Sequence, residues 1–148
     1  IFYELYLRFL YALEQKKRSP FFLTWLMEMR IIDSIGYPPP LETCLVCELA
    51  WESYPIVYFD FNNAGVLCKI HGEKESKNYR SDVRIVNPEL IRMLILIEAV
   101  DISKLFALQV SPELEEEFGQ FITHYLEVRL DKRYDKFQFF REFGFLQD

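Results

Sequence analysis

Cys44 and Cys47 are separated by two residues, and Cys68 and His71 by two more, with twenty residues between the pairs. Each C-x2-C or C-x2-H turn points two soft ligands at one place, and a connecting hairpin can bring the two turns together. Three thiolates and one imidazole suit a tetrahedral zinc ion. Four protein ligands close its shell, so such a site is structural and leaves no position for water or substrate. The chain holds three cysteines and two histidines, and this one pattern takes all the cysteines and one histidine. The competing reading is three free thiols and a loop histidine.

Other catalytic patterns are weak. Glu113, Glu115, Glu116 and Glu117 crowd a helix start, where acids offset the dipole, and no histidine joins them. They read as a solvated face. His124 lies beside Tyr125 in a helical stretch and reads as a surface or core-edge residue. Gly36, Gly65, Gly72, Gly119 and Gly144 are scattered, so no phosphate-cradling loop is present. No residue is expected to be catalytic. Arg129, Lys132, Arg133 and Lys136 fall at i, i+3, i+4 and i+7. On a helix they share one face, either solvated or turned to an anion or an acidic peptide.

These groups need elements to carry them. Residues 1–18 repeat apolar side chains at helical spacing and end in Lys16-Lys17-Arg18. Ser19-Pro20 starts a second, very apolar helix over residues 20–35. Gly36 stops it, and Tyr37-Pro38-Pro39-Pro40 is a stiff connector. Helical periodicity then vanishes over residues 41–80. Ile56-Val57-Tyr58-Phe59-Asp60-Phe61, the Asn62-Asn63-Ala64-Gly65 turn and Val66-Leu67 predict a hairpin, and residues 72–82 a polar loop. Helix returns over residues 83–148. Asn87-Pro88-Glu89 and Ser111-Pro112-Glu113 start two helices, residues 102–108 form a short link, and residues 134–143 form a last helix carrying Phe137, Phe140 and Phe143.

Composition sets the class. The chain has 148 residues, 51% hydrophobic and 17% aromatic, which suits one folded domain and excludes disorder. A net charge of −6 argues against coating a nucleic-acid backbone as the main task. No apolar run reaches the roughly 18 residues of a membrane span. The chain starts at Ile1, without a secretory signal, and is expected to be a fragment from a reducing, cytoplasmic compartment. The expected fold is mostly α, a single helical domain over residues 1–148. A small zinc-binding β-hairpin of zinc-ribbon or treble-clef type is inserted at about residues 41–80.

Further residues carry a resemblance. Phe21-Phe22-Leu23-Thr24-Trp25-Leu26 leads to Ile35-Gly36-Tyr37-Pro38-Pro39-Pro40-Leu41 and then to Cys44-Leu45-Val46-Cys47. Ala64-Gly65-Val66-Leu67-Cys68 follows, and Leu130-Asp131-Lys132-Arg133 lies near the end. This resembles the C-terminal part of the RecO family of bacterial DNA repair and recombination proteins, across essentially the whole chain. His71 stands where relatives with zinc usually have Cys, and only Leu130 and Arg133 match the family's closing Leu-Lys-Ser-Arg. The family's N-terminal OB-fold has no counterpart here.

The resemblance implies a non-enzymatic mediator of the RecF pathway. It implies one structural zinc, binding and annealing of single- and double-stranded DNA mostly through the OB domain, association with RecR, and capture of the acidic, Phe-ended tail of single-stranded DNA-binding protein. RecA loading would be the outcome, in the cytoplasm at the nucleoid and with no membrane. A zinc-ribbon adaptor of transcription or translation is the alternative, and a metal-dependent hydrolase a more distant one.

Overall fold

Ser19, Asn87 and Ser111 each stand one residue before a proline, and each caps a helix. Their side chains accept from the N–H of Phe22 at 3.4 Å, Glu89 at 3.0 Å and Leu114 at 3.2 Å. Proline at the first helical position loses no hydrogen bond there. A computed structural model of the chain describes residues 2–36, 38–53 and 55–131. Helices α1 (Phe2–Gln15) and α2 (Pro20–Ser34) are followed by a 3-10 turn at Trp51–Ser53, strands β1 (Val57–Asp60) and β2 (Gly65–Cys68), and helix α3 (Lys69–Glu75). Strand β3 (Val83–Val86) and helices α4 (Pro88–Ala99), α5 (Ile102–Leu105) and α6 (Pro112–Leu130) complete the order. The helix expected over residues 134–143 lies outside the described residues.

The fold is mostly helical with a small antiparallel sheet of order β2-β1-β3. Helix α2 is its axis, burying Phe22, Leu23, Leu26, Met29 and Ile32. It packs on α6, where Phe118 meets Phe22 and Trp25 edge-on at ring separations of 6.1 and 6.5 Å. Trp25 lies so close to α6 that a Cβ at Gly119 would stand 2.4 Å from its ring. The residue must be glycine for that approach.

Every residue of β1 is buried. Phe59 and Phe61 face the helices, with Phe59 4.8 Å from Phe121, while Tyr58, Leu67, Cys44 and Cys68 form a second, small cluster on the opposite side. Burial on both faces explains why the strand reads as a continuous apolar run rather than an alternation.

Two expectations are corrected. The stretch expected as a polar loop over residues 72–82 begins inside α3. Its Gly72 interrupts the sequence signal, and Cys68 at its cap makes no side-chain capping bond. The hairpin also gains β3 where helix was expected to resume, and Val83-Arg84-Ile85-Val86 pairs along β1. Among the described residues no helix is long and apolar enough to cross a membrane.

Candidate metal centre

The first cysteine pair sits in a tight knuckle. The Cys44 N–H donates to Leu49 O and the Glu48 N–H to Cys44 O, both at 2.9 Å, and Thr43 bridges to Ala50. Glu48 adopts a left-handed φ of 59° to close it. The knuckle is tied to β2 by the Leu45 N–H on Val66 O at 2.9 Å. The Leu45 side chain lies over Gly65, where a Cβ would come within 2.5 Å of it.

The second pair sits where β2 becomes α3. Cys68 is the cap residue of α3 and His71 lies in its first turn. Tyr58 on β1 holds that turn down: a Cβ at Gly72 would stand 2.2 Å from the Tyr58 ring. Strand β1 therefore sets the height of α3, and α3 aims His71.

The four donor atoms all lie within 4.8 Å of one another. Cys68 Sγ is 3.2 Å and Cys44 Sγ 3.6 Å from His71 Nδ1, and Cys47 Sγ is 4.0 Å from Cys68 Sγ. A tetrahedral zinc ion with Zn–S bonds of about 2.3 Å would separate its sulfurs by about 3.8 Å. The three printed separations lie close to those of such an ion, and the donor set suits it. All three cysteines are free thiols.

The electrostatics point the same way. Burial opposes ionisation of Cys44, but hydrogen bonds from the backbone of Cys47, Cys68 and Val46 outweigh it and bring the thiol down to about 6. Burial pushes Cys68 up, and the neighbouring Cys44 charge adds to that. Thiolates this close repel one another, and a bound cation would relieve the repulsion.

Helix α6 ends at Leu130, and Asp131 turns left-handed at φ 48°. Arg129 folds back onto the β1–β2 turn, donating to Asn62 O at 2.6 Å and to Phe61 O, with its guanidinium 5.7 Å from the Tyr125 ring centre. Lys132, Arg133 and Lys136 lie outside the described residues. Glu113 and Glu116 are exposed, whereas Glu117 is half-buried. His124 is a core-edge residue, hydrogen-bonded to Asp82 and packed 4.5 Å from the Phe61 ring.

Arg30, read from sequence only as part of an apolar helix, caps the end of α4. It donates to Ile97 O at 3.1 Å, Glu98 O at 2.6 Å and Val100 O at 2.5 Å, and to Asp33 at 3.1 Å. A lone arginine in an apolar stretch was the only signal available.

A family model described as "Recombination protein O C terminal" matches residues 2–136. The chain is similar to the DNA repair protein RecO of Acetivibrio thermocellus, 29% identical over 138 residues, covering 93% of this chain and 52% of that protein. It is also similar to the DNA repair protein RecO of Caldicellulosiruptor saccharolyticus, 28% identical over 137 residues, with coverages of 93% and 52%. For that of Exiguobacterium sibiricum the values are 23% over 125 residues, with coverages of 84% and 47%. The chain thus spans about half the length of these curated relatives. No solved structure matches.

Proposed function

The chain belongs to the RecO C-terminal family, and from that membership we propose that it is the helical, zinc-bearing part of a non-enzymatic mediator of recombinational DNA repair. The observation that carries the reading is the family match over residues 2–136, which includes all four converging donors.

In this reading Cys44, Cys47, Cys68 and His71 hold one zinc ion. When bound, it supplies a cross-link between the knuckle and the start of α3, in treble-clef fashion, with its shell closed to substrate. The remaining work is done by surfaces. Ile31 and Ile32 of α2, Ile35 at its C-terminal cap, and Leu126 and Leu130 of α6 line a cavity of about 590 Å³ that Glu28 and Arg129 also line. An acidic tail ending in Phe would set its ring against the isoleucines and its carboxylate near Arg129. Such a tail is that of single-stranded DNA-binding protein. RecR is the second partner, and RecA loading through the RecF pathway the outcome. The net charge of −6 suits a division of labour in which DNA is held mainly by the part of the protein that this chain does not span. The setting is the cytoplasm, at the nucleoid.

Fluorescence anisotropy with an acidic, Phe-terminated peptide tests the reading. Saturable binding is expected, weakened about tenfold when the terminal Phe becomes Ala. Absence of binding, or indifference to the Phe, contradicts it.

A further inference from the structure

Strand β3 forms one edge of the sheet, and its register fixes which backbone groups face outward. The Phe61 N–H donates to Asp82 O at 2.9 Å, so these two residues are a hydrogen-bonded pair. Bonded and non-bonded pairs alternate along an antiparallel ladder. Phe59↔Arg84 and Val57↔Val86 continue the bonded set, and Asp60↔Val83 and Tyr58↔Ile85 fall between. The N–H and C=O groups of Val83 and Ile85 therefore point away from β1. Among the described residues none of them has a hydrogen-bond partner. The Ile85 side chain is 65% exposed, and neither proline nor a bulge blunts the edge.

A cavity of about 280 Å³ adjoins this edge, lined by Arg84 and Ile85 on the strand and by Glu117, Gln120 and Phe121 on α6. Most of its charges are committed. Arg84 donates to Asp82 at 2.9 Å and lies 5.4 Å from the Phe61 ring centre, and His124 bonds the same Asp82. Glu117 is the exception. It makes no ion pair among the described residues, and one of its carboxylate oxygens is buried without a hydrogen-bond partner. Glu113, Glu115 and Glu116 precede it on the same helix.

We propose that an extended, basic segment of a partner protein adds to the free edge of β3 as a fourth strand, and that one of its lysine or arginine side chains enters the adjoining cavity to meet Glu117. Strand addition satisfies the outward groups of Val83 and Ile85. The apolar stem of the entering side chain lies against Phe121 and its charge against the carboxylate. An acidic strand, or a nucleic-acid backbone, would bring like charge to Glu117 and to the acidic start of α6. The proposal does not rest on the metal reading, since no cysteine lines this cavity.

The test uses the intact chain and short capped peptides of alternating Val and Thr, one with a central Lys and one with a central Glu. A third is the Lys peptide N-methylated along its pairing edge. The Lys peptide should shift the Val83 and Ile85 amide resonances and bind about tenfold more tightly than the Glu peptide. N-methylation should abolish binding without any change to the protein. Glu117→Gln should erase most of the preference for Lys and leave the thermal midpoint in place. Absence of binding, unmoved Val83 and Ile85 amides, or equal affinity for the Lys and Glu peptides would overturn the proposal. So would protection of those amides that rises with protein concentration, which would assign the edge to a second copy of this chain.

Discussion

His124 Nε2 lies 2.5 Å from Asp82 Oδ2, across 42 residues of sequence. The pair fastens α6 to the segment entering β3. Burial disfavours the Asp82 carboxylate, but hydrogen bonds from His124 and Arg84 outweigh that and hold its carboxyl below the usual value. A folded-state value below the unfolded one adds stability that is present above about pH 4 and lost as pH falls further. Asp82→Asn should therefore destabilise the chain by about 1 kcal/mol at pH 7. The gap to the parent should close on acidification below about pH 4, read by chemical denaturation across pH.

Glu98 behaves in the opposite sense. Burial raises its carboxyl to about 7, Asp33 and Glu42 push the same way, and Arg30 opposes them. One of its oxygens is buried without a hydrogen-bond partner. A folded-state value above the unfolded one means that stability is greatest below about pH 4.5 and declines as pH rises toward 7. Glu98→Gln should remove that decline, leaving the variant more stable than the parent at pH 8 and little different at pH 4. Paired thermal melts at the two pH values read the outcome.

Gly72 has no room for a side chain, since a Cβ would stand 2.2 Å from the Tyr58 ring. Gly72→Ala must lift α3 or displace Tyr58, at a cost of about 2 kcal/mol. Because α3 carries His71, the same change should weaken metal retention against a chelator. Loss of stability with metal retention intact would separate the two effects.

Ile35 is 54% exposed and lines the groove between α2 and α6. Ile35→Asp should leave the melting temperature within about 2 °C and weaken binding of the acidic, Phe-terminated peptide about tenfold. Unchanged affinity would place the peptide elsewhere.

The helix starts were legible because each cap is local: Ser19-Pro20, Asn87-Pro88 and Ser111-Pro112 announce themselves within two residues. The clustering of Cys44, Cys47, Cys68 and His71 was legible for the same reason, each pair being set by a two-residue spacing. What escaped the sequence depends on distant partners. Strand β3 is four residues long and exists because β1 pairs with it. Helix α3 tolerates an internal glycine because Tyr58 needs the space. Arg129, read from sequence as one end of a basic face, turns to carbonyls 67 and 68 residues away that no local pattern marks. Arg30 likewise serves carbonyls at the C-terminal end of α4 and its cap that no local pattern marks.

The central claim is a structural zinc held by Cys44, Cys47, Cys68 and His71, and elemental analysis of the freshly purified, folded chain tests it most directly. About one zinc per chain is expected, lost together with the structure of the insert on Cys68→Ser, which should cost several kcal/mol. A folded chain that carries no metal, and whose cysteines all react with a thiol reagent at unchanged thermal stability, would contradict it.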